Sequence, residues 1–139
     1  MKDKFFFDTN VLVYMQDASD SVKQQKARSL LSTYLDNGTA VISTQCLQEF
    51  YNVLANKMKQ DKIKTKQIIH SLSENIPVVQ VTPTLIENGI DISIKTQFSL
   101  WDSLMISAAS FAKCTVLYSE DMNDGQVVNG VKILNPFVN

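Results

Sequence analysis

Lys4-Phe5-Phe6-Phe7-Asp8-Thr9-Asn10-Val11-Leu12 is the stretch on which the fold of this 139-residue chain turns. Three consecutive phenylalanines leave no polar face, so the segment reads as a strand buried on both sides, the habit of parallel sheets covered by helices. The next polar residue then emerges at the strand's carboxyl end. Open parallel sheets place their ligands at that edge, which makes Asp8 a candidate functional acid and not only a turn residue. The structural alternative is that Asp8 caps a turn by accepting backbone N–H bonds.

Outward from this strand, the chain alternates between strand-like and helix-like runs, the pattern of an α/β domain around a parallel sheet. Further strands are expected at Ala40-Val41-Ile42, Val78 to Val81, Thr115 to Tyr118 and Val131 to Leu134. Asp17, Ser19 and Asp20 offer caps for a helix with a buried stripe of Val22, Ala27, Leu30, Leu31 and Tyr34, ended by Asn37-Gly38. Ser43 or Thr44 caps a second helix bearing Leu47, Phe50, Tyr51, Leu54 and Met58 at helical spacing. Thr65 caps a short third one with Ile68, Ile69 and Leu72, stopped by Pro77. Thr82-Pro83 opens a fourth, with Leu85, Ile86, Ile90 and Ile94 as its stripe and Gly89 weakening it by about 1 kcal/mol. Ser99 begins a fifth, carrying Leu100, Leu104, Ile106 and the small run Ser107-Ala108-Ala109. Without repeats, low-complexity tracts or linkers, the reading is one domain over 1–139.

Composition narrows the function classes. Hydrophobic residues make up 45% of the chain and charged ones 19%, enough for a sizeable core. No apolar run approaches the 18 or so residues of a membrane span, and the first residues lack a signal-peptide layout, so a cytoplasmic protein is the expectation. Cys46 and Cys114 fall in apolar patterns without CxxC spacing and read as reduced, buried hydrophobes. A net charge of −1 argues against a generally basic nucleic-acid binder. Yet five of the thirteen basic residues crowd into Lys57 to Lys66, against one acid, Asp61. That run is either a solvated helix end and turn or a phosphate-tracking patch, with Lys57, Lys59 and Lys62 as the candidate contacts. With Arg28 the only arginine, such contacts rely on lysine point charges. His70, the one histidine, lies in a helical pattern far from any acid motif and reads as a surface residue.

Three further acids sit in settings that compare with that of Asp8. Glu49 borders the apolar stripe of its helix, where solvent exposure is the simpler account. Asp102 stands three residues after Ser99, the spacing of a capping-box variant, and a carboxylate at a helix start is also favoured by the helix dipole. Asp121 follows the strand Thr115 to Tyr118 in Ser119-Glu120-Asp121-Met122-Asn123-Asp124-Gly125, a polar turn that shares the carboxyl edge with Asp8. Were these acids to converge they would repel one another unless a divalent cation bound them, and an oxygen-only donor set suits Mg2+ or Mn2+.

In chain order, Phe7-Asp8-Thr9-Asn10-Val11-Leu12, Gln48-Glu49-Phe50, Trp101-Asp102-Ser103-Leu104 and Ser119-Glu120-Asp121 together resemble the PIN-domain family, and within it the VapC-type toxins of toxin-antitoxin pairs. The likeness runs over nearly the whole chain. It implies a three-layer α/β fold with a central, mainly parallel sheet flanked by helices. It also implies a carboxylate cluster binding Mg2+ or Mn2+ and hydrolysis of RNA. By the same resemblance Asp8, Glu49, Asp102 and Asp121 match the four family acids and Ser119 the small hydroxyl residue, while Asn10 is a supporting candidate. Asp124 is an additional ligand through water or a turn residue, and Glu120 is expected to point away. The implied partners are an RNA substrate, a second copy of the chain in a homodimer, and a small cognate antitoxin protein, for which Phe50, Tyr51, Leu54, Ile68, Ile69 and Leu72 offer a groove unless they pack on the sheet.

Two other classes compete. An aspartate-dependent phosphotransferase of the haloacid-dehalogenase type wants a second aspartate where this chain has Asn10, and a receiver-type phosphoacceptor wants a lysine after the last strand, whereas Lys132 lies within it. A PIN-like module that binds nucleic acid or protein without catalysis is the non-enzymatic alternative.

Overall fold

The computed structural model describes residues 2–138; Met1 and Asn139, the ends of the expected domain, lie outside the described residues. The elements run β1 (Phe5–Phe7), α1 (Thr9–Tyr14), α2 (Ser21–Asp36), β2 (Ala40–Ser43), α3 (Thr44–Tyr51), α4 (Lys62–Asn75), β3 (Val78–Val79), α5 (Pro83–Thr96), α6 (Leu100–Phe111), β4 (Val116–Tyr118), β5 (Val127–Val128) and β6 (Val131–Leu134). A π-helical segment, Asn52–Lys57, continues α3 without a break.

The sheet order is β3-β2-β1-β4-β6-β5, parallel throughout except for β5, which runs antiparallel to β6. β1 is central. Phe5 stands opposite Ala40 of β2 on one side and Val116 of β4 on the other, and Phe6 and Phe7 are fully buried. The mainly parallel α/β architecture flanked by helices is therefore the one its apolar run requires. All five expected strands are present. The sixth, β5, was not anticipated, although Asn129-Gly130 is the dipeptide of a two-residue hairpin: both residues hold positive φ, 49° and 79°.

Most helix starts follow the caps legible in the sequence. Asp20, Ser43, Thr82 and Ser99 each accept a backbone N–H with the side chain, from Lys23, Cys46, Leu85 and Asp102 respectively. Several expectations change. α1 was not foreseen, and Asp8 is its N-cap. α4 begins at Lys62 with Asp61 as cap, while Thr65 lies inside the helix and donates its hydroxyl to the Asp61 carbonyl at 2.8 Å. Val22 and Met58 are exposed, not part of a buried stripe; Ala27 and Leu31 carry the core face of α2. Phe50 and Leu54 are fully buried against the sheet and so cannot line an external groove.

The largest correction concerns α5. Its buried face is Leu85, Gly89 and Ile92, whereas Ile86, Ile90 and Ile94 form an exposed ridge. Gly89 decides this, because a Cβ at that position would lie 2.7 Å from Leu104 Cδ2 of α6. Only the glycine face lets the two helices approach, and Ser107 then donates its hydroxyl to the Leu85 carbonyl at 2.8 Å.

Cys46 and Cys114 are buried free thiols, as expected, and burial pushes both up to about 12. His70 is exposed, 3.6 Å from Glu74. Among the described residues no helix is long and apolar enough to cross a membrane.

Candidate active site

β1 and β4 are adjacent and parallel, so their carboxyl ends open onto one edge. The backbone N–H of Asp8 donates to the Tyr118 carbonyl at 3.0 Å, and the residues that follow each strand face one another. Asp8 is buried, with 6% of its surface exposed. Its Oδ1 accepts the Thr9 N–H at 2.6 Å, and its Oδ2 accepts the Ser119 hydroxyl at 2.7 Å and the Asn10 amide at 3.5 Å. The capping and functional readings of Asp8 are thus compatible: one oxygen starts α1 while the other faces the strand exit.

Asn10 ties the edge together. Its Nδ2 donates to Asp121 Oδ2 at 3.0 Å, and its Oδ1 accepts the Glu120 N–H at 3.3 Å. Ser119 accepts the Asp121 N–H at 3.3 Å while donating to Asp8. Glu49 arrives from α3, with Oε1 accepting the Thr9 hydroxyl at 2.7 Å and Oε2 accepting the Gln45 amide at 3.1 Å. The same Gln45 Nε2 also donates to the Trp101 carbonyl at 3.1 Å, linking the Glu49 turn to the start of α6 where Asp102 emerges.

Asp8, Glu49, Asp102 and Asp121 all line one cleft of about 640 Å³, together with Asn10 and Lys57. Asp124 is not among its lining residues; its Oδ1 accepts the Asn135 N–H at 2.8 Å, the work of a turn residue. Glu120 does line the cleft, against the expectation that it points away, but its carboxylate is held by Lys23 at 2.5 Å and by the Tyr14 hydroxyl at 2.7 Å. Lys59 and Lys62 are exposed outside the cleft lining.

The electrostatics are those of crowded carboxylates. Burial pushes the Asp8 carboxyl up to about 7 against the stabilising bonds from Ser119 and Thr9, and the charges of Asp102 and Glu49 raise it further. Asp102 is also raised, first by burial and then by Asp121, with Glu49 adding to it. No basic group figures among the causes acting on either acid.

Whether these residues suit a divalent cation rests on donor chemistry and spacing. The donors are carboxylate oxygens in a negative cleft, the hard ligands Mg2+ and Mn2+ prefer. Among the described residues, however, no three acids are drawn together tightly enough to cage an ion directly. Thr9 and Gln45 hold Glu49, and Asn10 holds Asp121, so part of the ligand set is tied back. A cation that keeps several of its waters and contacts one or two carboxylates fits this open arrangement.

Reading the sequence for titratable groups missed Thr9, Gln45 and the Tyr14-Lys23-Glu120 network. Gln45 had a signal, since it precedes Glu49 by four residues on one helix and so shares its face. For Thr9 and Lys23 no local pattern pointed to the site.

Comparison with known proteins places this geometry in context. The chain is similar in structure to a toxin-antitoxin complex from Klebsiella pneumoniae, with a TM-score of 0.72 at 19% identity over 96% of this chain and 98% of that one. It is similar also to VapC20 of Mycobacterium tuberculosis, described as a sarcin-ricin loop cleaving toxin, with a TM-score of 0.68 at 17% identity over 82% and 87% of the two chains. A third similar structure is VapBC2 from Rickettsia felis bound to a promoter DNA fragment, with a TM-score of 0.69 at 13% identity over 93% and 96%. At these identities the likeness shows the fold. No curated protein sequence matches the chain significantly. A family model described as PIN domain matches residues 5–123, from β1 through the Asp121 strand exit, and on that match the chain belongs to the PIN domain family.

Proposed function

We propose that this chain is a metal-dependent endoribonuclease that hydrolyses RNA phosphodiester bonds, and that it is the toxin of a toxin-antitoxin pair. The observation that carries the reading is Asp8, a buried carboxyl held by Ser119 and Thr9 at the edge of a cleft lined by three more of the expected acids. Asp8, Asp102 and Asp121 would hold one or two Mg2+ or Mn2+ ions, and Glu49, fixed by Thr9 and Gln45, would hold the second ion or orient the attacking water. A bound divalent cation supplies charge neutralisation at the phosphate and a nucleophilic hydroxide at neutral pH. The protein's part is positional: Asn10 and Ser119 fix the two strand-end carboxylates, and the cleft wall sets where the scissile phosphate sits.

The test is digestion of RNA with Mg2+ or Mn2+. Wild type should cut, EDTA should abolish cutting, and Asp8→Asn should cut at least about 100-fold more slowly, a loss of roughly 2.7 kcal/mol of transition-state stabilisation. Equal rates for Asp8→Asn and wild type would sink the proposal.

One observation favours a second reading. Because no three acids among the described residues form a ready cage, a PIN-like module that binds nucleic acid or protein without cutting is the alternative. Calorimetric titration separates the two, since carboxylate-dependent Mn2+ binding is expected only of the nuclease. An aspartate-dependent phosphotransferase fits less well, because Asn10 occupies the place of its second acid and both Asp8 oxygens are already engaged.

For partners the proposal includes a homodimer and a small antitoxin protein. The three structural relatives described above include two toxin-antitoxin assemblies, which supports a protein partner. A groove of about 610 Å³ between α2 and α4, with the partly exposed Met15, Leu35 and Ile68 in its lining, offers it an apolar seat.

A further inference from the structure

The cleft is lined by six carboxylates and a single basic residue, Lys57. Lys23, the other cation nearby, is engaged by Glu120. An irregularity of winding decides where on that face Lys57 stands. From Glu49, an α-helix would present to the cleft Asn52, Val53 and Asn56, three, four and seven positions on, with Lys57, eight positions on, only at the margin of the stripe. The chain instead winds as a π-helix over Asn52–Lys57, with the Met58 N–H donating to the Val53 carbonyl five residues back at 2.9 Å. The wider turn moves the register by one. Asn52, Val53, Lys57 and Met58 line the cleft, while Asn56 is not among its lining residues and donates to Asn52 Oδ1 at 2.8 Å. Leu54 and Ala55 stay buried, so the core face is kept while the cleft face gains a cation.

Among the described residues Lys57 is paired with no acid, and it stands at the inner end of the exposed lysine run that continues through Lys59, Lys62, Lys64 and Lys66. A polyanion entering a wall of carboxylates is drawn in by positive charge, and apart from the divalent cation of the proposed function Lys57 is the one cation that the cleft lining offers, with the rest of the run outside it. We infer that Lys57 is the phosphate-binding residue that positions a single RNA strand in this cleft, and that the π-helical register is what makes Lys57, and not its neighbour, that residue. The inference rests on the nuclease reading for its ligand class, but it is a statement about binding and is tested as one.

The experiment measures binding of two single-stranded RNA oligonucleotides of unrelated sequence in Mg2+ as a function of salt, in the Asp8→Asn background. Lys57→Ala should reduce the magnitude of the slope of log affinity against log salt by about 0.7, equally on both sequences, as loss of one phosphate contact requires. Lys57→Arg should keep the slope. The exchange Asn56→Lys with Lys57→Asn, which retains the net charge, should behave like Lys57→Ala. An unchanged slope for Lys57→Ala, a wild-type slope for the exchange, or an equal loss from Lys66→Ala overturns the inference, since each would mean that diffuse charge holds the strand. Circular dichroism checks that each variant is folded, and Lys57→Gln replaces Lys57→Ala should the latter unfold. Cutting by the Asp8→Asn background would overturn the functional reading while leaving the slope comparison intact; absence of any RNA binding overturns both.

Discussion

Asp8 is ionised only against resistance, and the resistance depends on pH. Its carboxyl is held up at about 7 in the folded chain by burial, against an ordinary value of 3.8. The folded state therefore binds this proton more tightly than the unfolded one, so the stabilising contribution is whole below about pH 4 and is lost as pH rises through 7. At 1.36 kcal/mol per unit, metal-free protein should lose on the order of 4 kcal/mol of stability from this group between those limits. Asp102, raised in the same direction, adds to the trend. Denaturant melts at pH 5 and pH 8 in EDTA should show the decline, and Asp8→Asn, whose amide still caps α1, should be more stable than wild type at pH 8. A wild type as stable at pH 8 as at pH 5 would contradict this account. The four acids were legible because each follows a strong local signal, a strand end or a helix start. Thr9 and Gln45 were not, because hydrogen bonds to Glu49 from residues that do not titrate leave no periodic or compositional trace.

At the scale of elements, α5 shows how far periodicity reaches. The helix carries two apolar faces, and spacing alone put Ile86, Ile90 and Ile94 in the core together with Leu85, of which only Leu85 is buried. The structure buries the face with Gly89, because close approach to Leu104 is possible only there. Gly89→Ala should gain about 1 kcal/mol in helix propensity but lose about 1–3 kcal/mol to overpacking against a buried leucine, for a net destabilisation of about 1 kcal/mol. A lower urea midpoint with an unchanged m value would show it. The same limit hid α1 and β5: at six and two residues they are too short for a period to be read, and only the Asn129-Gly130 turn advertised the second. Caps were the most dependable guides, since Asp20, Ser43, Thr82 and Ser99 each act through a backbone bond three residues away that tertiary packing does not overrule.

For the molecule as a whole, the exposed ridge of Ile86, Ile90 and Ile94 is an apolar surface on which the proposed homodimer can be tested. Ile90→Glu should weaken self-association by at least about ten-fold, equivalent to 1.4 kcal/mol, in sedimentation velocity runs, while changing the stability of the single chain by no more than about 0.5 kcal/mol. A dimer indifferent to this change would have to form elsewhere. The strand order was fixed by pairing partners far apart in sequence, such as Phe7 with Tyr118, which no local reading supplies.

The bond from the Asp8 N–H to the Tyr118 carbonyl joins the ends of the two middle strands of the sheet, next to the stacked pair of Phe7 and Tyr118 rings. Such an amide exchanges its hydrogen only when the central sheet opens, which is the cooperative unfolding of the domain and not the fraying of a loop. The backbone that carries Asp8 thus has no melted state apart from the domain's own: heat or denaturant releases it in the step that opens the central sheet.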